Sequence, residues 1–161
     1  MLVISLTGMQ NMSNYRGYVF VLWGEQFDVV AVVIFVTELR KMGLRVKVVG
    51  LGLRHLSGTN GLALVPDFSL DEALSLVEQV LCVMVPYPAD RCQWFNNDPR
   101  LLKLFKQAAA NQCRFIVGPP VKVSTLEIFP ATDGGIMTYP EPERLVEFSR
   151  RVGRSLLGSF L

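Results

Sequence analysis

The sequence predicts one α/β domain built on an open, mostly parallel β-sheet. Short apolar runs rich in β-branched residues recur along the chain, and segments of helical length separate most of them. The chain has 161 residues, of which 50% are hydrophobic and 19% charged. This is enough for one domain with a substantial core and too short for two. We assign this domain to residues 17–161.

The first strand and first helix are expected in the apolar region after Gly17. The run YVFVLW, residues 18–23, is β-branched and aromatic, which indicates a buried strand. In FDVVAVVIFVTELRKMG, β-branched residues favour a strand, but the length and the basic end before glycine favour a helix, which we predict. Because this helix carries no charge from Val29 to Val36, we expect it to be buried on all sides, in the core or against a second subunit. A homodimer interface is its natural use.

The next elements continue the alternation of strands and helices. We predict a second strand at about residues 45–50 and a third in GLALVPD, after the turn signal Asn60-Gly61. SLDEALS is expected to form a short helix with Ser69 as its N-cap. The apolar run from Val80 to Pro86 is typical of a strand in a parallel sheet.

The second half of the chain repeats this pattern. A loop is expected in PYPADRCQWFNN, followed by a helix with Asp98 as N-cap and Pro99 at its first position. CRFIVG predicts the next strand, VSTLEIF a short helix and GGIMT a further strand. The last helix, in EPERLVEFSRRVGRSLLG, places apolar residues at helical spacing and charges on the opposite face. We therefore expect it to pack over the sheet.

Composition excludes several classes of function. The 16 basic and 14 acidic residues are spread along the chain, so the net charge of +2 indicates neither nucleic acid nor an anionic membrane as a partner. No apolar stretch reaches the roughly 18 residues that would span a bilayer, which predicts a soluble protein. Residues 1–16 lack the basic region of a secretory signal, and we interpret them as a flexible leader or a product of the chosen start codon.

Cysteine and histidine usage predicts no metal and no cofactor. Cys82, Cys92 and Cys113 have neither metal-ligand spacing nor the even number of a disulfide set, which favours a reducing, cytoplasmic setting. His55, the single histidine, precedes a turn and is interpreted as a solvated loop residue. The sequence has no cluster of histidine and carboxylate and no phosphate-binding GxGxxG or P-loop.

Several phrases occur in the order found in the ThiJ/PfpI superfamily, the relatives of class I glutamine amidotransferases. TELRKMGLRVKVVGLG resembles its first helix and second strand, and SGTNGLALVPDFSLDEA its glycine-rich turn and Pro-Asp phrase. NDPRLLKLFKQAAANQCRFIVG is similar to its helix and nucleophile strand, and DGGIMTYPEPERLVEFSRRV to its closing strand and helix. The resemblance covers about residues 17–157. It implies a flavodoxin-like three-layer sandwich, a frequent homodimer, and a site at the carboxyl ends of the strands.

The resemblance places the nucleophile of this superfamily at a residue that has no nucleophilic atom. Its cysteine stands two positions before a glycine, at a strained turn between strand and helix. In FIVGPP that glycine is Gly118, so the position falls on Ile116, or on Val117 if the register shifts by one. Because β-branched residues rarely adopt a positive φ, we expect ordinary backbone dihedral angles at Ile116.

Two further positions of the superfamily site also depart from its pattern. The glutamate that tunes the cysteine corresponds to Asp28 or Val29, and Asp28 is also explained as a carboxylate at a helix N-terminus. The glycine pair that helps to hold an oxyanion is replaced by Tyr87 and Pro88. Proline has no N–H and tyrosine adds bulk where the backbone must approach closely.

These departures favour a non-catalytic protein that acts as a dimeric binding or regulatory module for a protein partner or a small molecule. Tyr87, Cys92, Trp94 and Phe95 form a loop that, with Asp28, could bind a small apolar or weakly basic molecule. Alternatively, the rings cover the sheet edge or a dimer contact. Cys92 follows an arginine and is either a redox thiol of lowered pKa or an ordinary semi-buried cysteine. The second hypothesis is a hydrolase or glyoxalase/deglycase-like enzyme rebuilt around Cys92, Asp28 and Tyr87.

Overall fold

A computed structural model describes residues 17–52, 56–120, 128–129 and 135–158. Within these ranges, six strands form one sheet in the order β3-β2-β1-β4-β5-β6, and every pair of neighbours is parallel. The strands are β1 (Tyr18–Trp23), β2 (Arg45–Gly50), β3 (Phe68–Ser69), β4 (Val80–Pro88), β5 (Arg114–Gly118) and β6 (Ile136–Thr138). The helices are α1 (Val29–Lys41), α2 (Leu70–Ser75), α3 (Pro99–Ala110) and α4 (Leu145–Gly158). The α/β class with a parallel sheet is therefore confirmed.

The core lies on both faces of the central strands. All six residues of β1 are buried, because β2 and β4 flank the strand and helices cover it. Helices α1 and α4 pack against each other, and α2 packs against α3. No helix of the described ranges is long and apolar enough to cross a bilayer. Residues 1–16, His55 and most of VSTLEIF, for which we made predictions above, lie outside the described residues.

Helix α1 forms as predicted but is not buried on all sides within the chain. Its Val32, Phe35 and Leu39 are buried in the core, whereas Val30 is 41% and Val33 45% exposed. The first alternative, burial of α1 on all sides in the core of the chain, was therefore wrong. Helix α1 lies in an outer layer, where the sheet and α4 cover only part of its surface. The other alternative, burial against a second subunit, stays a prediction.

The third strand was predicted in residues 61–67, but β3 is the dipeptide Phe68–Ser69. Pro66 has no N–H to donate to a neighbouring strand, and Val65 is 86% exposed. Hydrogen bonding to β2 begins only at Asp67, whose N–H donates to the carbonyl of Val48. The turn predicted before this segment is confirmed, since Asn60 and Gly61 have φ values of 62° and 75°.

The loop predicted after residue 86 is more regular than expected. Strand β4 continues to Pro88, and residues 89–97 form 3-10 turns. Ala89, Cys92 and Phe95 are all buried at a spacing of three residues, which matches the three residues per turn of a 3-10 helix. The sequence pattern was missed because so short a period resembles neither an α-helix nor a strand.

The predicted helix starts are confirmed by their hydrogen bonds. Ser69 and Glu72 form a reciprocal capping box at the start of α2. The Asp98 carboxylate accepts from the N–H of Arg100 at 3.0 Å, and Pro99 occupies the first turn of α3. Helix α4 carries its buried residues on the face that packs against α1.

Candidate functional site

The candidate site is a cavity at the carboxyl ends of the strands. Strands β2 and β3 lie on one side of β1, and strands β4, β5 and β6 lie on its other side. The direction in which strands are added therefore reverses between β1 and β4. Open α/β sheets bind ligands at such a switch point, because the connections there diverge and leave a crevice. A cavity of about 870 Å³ occupies this position. It is lined by Gln26, Asp28, Thr59, Tyr87, Pro88, Arg91, Gly118, Pro119, Thr138, Tyr139, Pro140, Glu141 and Pro142.

Asp28 joins three parts of this site. Its backbone N–H donates to the carbonyl of Pro86 at 2.8 Å, which ties the start of α1 to the last residues of β4. Its Oδ1 accepts from the N–H of Ala31 at 3.1 Å, so Asp28 is the N-cap of α1 and this interpretation is confirmed. Its Oδ2 accepts a hydrogen bond from the Tyr139 hydroxyl at 3.3 Å. Both carboxylate oxygens are therefore engaged within the chain.

Tyr139 is a site residue that the sequence did not indicate. It follows β6, its N–H donates to the carbonyl of Val117 at 3.2 Å, and the residue is 7% exposed. Burial raises the pKa of Tyr139, and the negative charge and hydrogen-bond acceptance of Asp28 raise it further. The phenol is therefore neutral at physiological pH and acts as a hydrogen-bond donor.

Gly118 is required by the close approach of two tyrosines. A Cβ atom at this position would lie 2.7 Å from the carbonyl oxygen of Tyr87 and 3.0 Å from the hydroxyl of Tyr139. The pairing between β4 and β5 is irregular between Val85 and Pro88, where Pro88 comes opposite Gly118. The absence of a side chain at Gly118 thus lets β4 and Tyr139 close the wall of the cavity.

The rings of the predicted aromatic loop form a cluster. Tyr87 stacks on Phe27 with ring centroids 5.1 Å apart, and Trp94 meets Tyr87 edge-on at 6.1 Å. Phe95 lies against Trp94 at 4.3 Å and is fully buried. Tyr87 lines the cavity, whereas Trp94, which is 40% exposed, is not among its lining residues. The cluster thus covers the carboxyl end of β4.

Cys92 is not a thiol of lowered pKa, and that alternative was wrong. The residue is fully buried, and its Sγ–H donates to the carbonyl of Pro88 at 3.3 Å. Burial raises its pKa to about 12, and the nearby Asp90 carboxylate adds to the effect. Burial likewise raises the pKa of Cys82 to about 12 and that of Cys113 as well. All three thiols are therefore protonated at neutral pH.

Ile116 lies inside β5 rather than at a turn. It pairs with Met84 and Met137 on the flanking strands and is fully buried. Its φ is not positive, which confirms the prediction of ordinary dihedral angles. Val117, next to it, is also fully buried, and Val29 is buried in the first turn of α1.

The structure thus brings together only part of the predicted site. Asp28, Tyr87, Pro88 and Gly118 line the cavity, but Val29, Cys92, Trp94, Ile116 and Val117 do not. Sequence reasoning missed Tyr139, Thr59 and Arg91, which come from three separate segments. Among the residues that the structure describes, no group of three or more histidine, cysteine, aspartate or glutamate side chains could hold a metal ion.

No protein-family model and no curated protein sequence matches this chain. Solved structures do match its fold. Drosophila melanogaster DJ-1beta superimposes with a TM-score of 0.72 at 16% identity, over 88% of this chain and 91% of that one. A cysteine-to-alanine mutant of a DJ-1 superfamily protein from Salmonella typhimurium gives 0.67 at 14% identity, over 88% and 91% of the two chains. A ThiJ/PfpI domain protein from Brachyspira murdochii gives 0.62 at 15%, over 88% and 96%. At these identities the likeness establishes the fold, and the flavodoxin-like prediction is confirmed.

Proposed function

We propose that this chain is a divergent, non-catalytic protein of the DJ-1/ThiJ/PfpI type that acts as a dimeric binding or regulatory module. One observation carries the proposal: the position that matches the nucleophile of the superfamily is Ile116, an aliphatic side chain fully buried within β5. A buried alkyl group can neither attack a substrate nor be reached by one. The carboxyl edge of the sheet therefore keeps a cavity, but within the described part of the chain the position that matches the nucleophile has no reactive atom.

The rest of the cavity supports the absence of acyl-transfer chemistry. Pro88 and Pro119 stand at the ends of β4 and β5, where a backbone N–H would have to stabilise an oxyanion, and proline has none. The Asp28 carboxylate already accepts from Ala31 and Tyr139, so it is not poised to take a proton from a substrate. Neither cysteine nor serine is among the described lining residues.

The same cavity is suited to binding a small apolar or weakly basic molecule. Its volume of about 870 Å³ lies within the roughly 300–1,000 Å³ of small-molecule sites. Its walls are formed by prolines and two tyrosine rings, which favour a flat apolar ligand. The Glu141 carboxylate is paired with Arg144 at 3.3 Å, so Asp28, beside the guanidinium of Arg91, is the acidic group of the described lining that could accept a hydrogen bond from a weakly basic ligand.

Helix α1 supplies the dimer interface in this proposal. Val30 and Val33 leave apolar surface exposed on a segment, Val29 to Val36, that carries no charge. An isologous contact would bury this surface against its own copy. The three cysteines, which form no disulfide, support a reducing compartment such as the cytoplasm.

Catalysis is tested by measuring turnover of methylglyoxal and of a generic ester by the purified protein. We expect no turnover above that of the heat-denatured protein, and no change in Cys92→Ser. Turnover that depends on Cys92 would instead establish the rebuilt hydrolase or glyoxalase/deglycase-like enzyme. The burial of the Cys92 sulfur argues against that alternative.

Dimerisation is tested by the solution mass of the double variant Val30→Glu/Val33→Glu. We expect the wild-type chain to have twice the mass of this variant, because two carboxylates would be forced into an apolar contact. Val65→Glu is the matched control, since Val65 is 86% exposed outside α1 and its substitution should leave the dimer intact. A monomeric wild-type chain would refute this part of the proposal.

A further inference from the structure

A second cavity, of about 430 Å³, lies beside the first three residues of β2, and none of its described lining residues belongs to the candidate site. Tyr18 and Arg45, the first residues of β1 and β2, line it together with Phe68 at the start of β3. Arg40 and Lys47 bring two more positive charges, and Asp67 is the single carboxylate among the described residues that line this cavity. The proposed function uses none of these residues.

The Asp67 carboxylate is already neutralised by Arg40. The Arg40 Nη2 lies 2.8 Å from the Asp67 Oδ2, and the same guanidinium donates to the carbonyl of Val46 at 2.8 and 3.2 Å. Asp67 also accepts from the N–H of Val48 at 2.8 Å. This ion pair is therefore fixed against the edge of β2, and neither partner is available to balance another charge.

No carboxylate of the described residues balances the charges of Arg45 and Lys47. They are alternate residues of β2, so both point to the same face of the sheet, and both are half-buried. The Arg45 guanidinium lies 4.1 Å from the centre of the Tyr18 ring and donates to the Tyr18 hydroxyl, and the Lys47 ammonium lies 5.5 Å from the centre of the Phe68 ring. Within the described ranges, no carboxylate forms an ion pair with either side chain.

The neighbouring sequence offers no substitute anion. Residues 1–16, which precede β1, contain no aspartate or glutamate. Arg45 and Lys47 thus line one recess as half-buried cations, and an anion bound there could interact with both charges.

We propose that this recess, formed by Tyr18, Arg45, Lys47 and Phe68, binds a phosphate group, either as inorganic phosphate or as part of a phosphomonoester. Two unbalanced positive charges match a dianion, whereas a carboxylate would leave one cation unpaired. The flat guanidinium of Arg45 can donate two parallel hydrogen bonds to phosphate oxygens, and Lys47 supplies a point charge beside it. The rings of Tyr18 and Phe68 hold the two cations in place.

The test is a titration of the isotope-labelled full chain with inorganic phosphate, with glycerol phosphate and with acetate at constant ionic strength. We expect saturable shifts of the backbone amide signals of Arg45, Lys47 and Phe68 with both phosphates and weak, unsaturated shifts with acetate. Tighter binding of glycerol phosphate than of inorganic phosphate would identify the ester as the ligand form, and the reverse order the free anion. Equal binding of acetate would overturn the assignment.

Substitutions distinguish phosphate binding in this recess from a general effect of the protein's net charge on the Kd for phosphate. Lys47→Gln and Arg45→Gln should each raise the Kd for phosphate about tenfold, the loss expected for one charge-assisted hydrogen bond. Lys106→Gln is the matched control, because Lys106 is an exposed lysine on α3, and its substitution should leave the Kd unchanged. An equal loss in Lys106→Gln, or no loss in Lys47→Gln, would overturn the proposal. If Arg45→Gln does not fold, Arg45→Lys, which keeps the charge, takes its place. The Kd of Lys47→Gln for phosphate then decides whether the proposal holds.

Discussion

The hydroxyl of Tyr139 donates a hydrogen bond to Oδ2 of Asp28 at 3.3 Å, across 111 residues of sequence. This contact joins the end of β6 to the first turn of α1 and forms one wall of the candidate cavity. The same Asp28 carboxylate accepts from the N–H of Ala31 and so caps α1. One side chain therefore both lines the cavity and stabilises the start of the helix.

Tyr139→Phe should lower the free energy of unfolding by about 1 kcal/mol, the usual net contribution of one hydrogen bond. Urea unfolding measures the change. Tyr87→Phe is the matched control, because Tyr87 also lines the cavity but its hydroxyl makes no hydrogen bond to another described residue. Equal effects of the two substitutions would show that the Tyr139–Asp28 contact adds nothing to stability.

Asp28→Ala should destabilise the protein by about 1–2 kcal/mol, because α1 loses its N-cap. Asp28→Asn keeps an oxygen that can accept from the N–H of Ala31 and should cost much less. The comparison is made by urea unfolding of both variants at pH 7. If the two variants were equally unstable, the negative charge rather than the cap would be the stabilising feature.

The contact between α1 and α4 should be sensitive to acid, because it includes the ionised carboxylate of Glu38. This carboxylate accepts from Arg150 Nε at 3.1 Å and from Lys41 Nζ at 3.4 Å. The hydrogen bond from Arg150 is the main cause that lowers the pKa of Glu38 below its ordinary value of 4.5. Since the folded-state pKa is the lower one, the stabilisation is complete above pH 4.5 and is lost as the pH falls through the folded-state pKa.

Glu38→Gln should therefore be less stable than the wild type near neutral pH. The difference in free energy of unfolding between the two proteins should shrink as the pH falls below 4.5. Urea unfolding at several pH values measures it. Glu147→Gln serves as control, because Glu147 forms a solvent-exposed pair with Arg154 at 3.3 Å. A difference between wild type and Glu38→Gln that stays constant with pH would contradict the assignment.

Gly118→Ala should destabilise the protein by about 1–3 kcal/mol, as expected when a methyl group is forced into a tight contact. The new Cβ would lie 2.7 Å from a backbone atom of Tyr87, which cannot rotate away. Gly158→Ala, at the end of α4, has no atom within 4 Å of the new Cβ and is the control. Thermal unfolding of both variants checks the difference, and a neutral Gly118→Ala would mean that β4 shifts freely at the cavity wall.

The helices and strands whose signals are local could be predicted from the order of the amino acids. Asp98-Pro99 starts α3, and Ser69 with Glu72 starts α2, because a cap and the N–H groups it satisfies lie within three residues of each other. Runs of buried apolar residues likewise identified β1, β4 and β5, since a strand covered on both faces has no polar alternation.

Which side chains these elements bring together became clear from the assembled fold. The contact between Tyr139 and Asp28 requires β6 to lie beside β5 and α1 to begin beside the end of β4, and neither residue carries a local signal for it. The depth at which Cys92 is buried, and hence the direction of its pKa, depends on how the 3-10 turns pack on the core. The difference lies in range: caps and strand periodicity act between residues close in sequence, whereas burial and charge pairing depend on segments that become neighbours when the sheet is assembled.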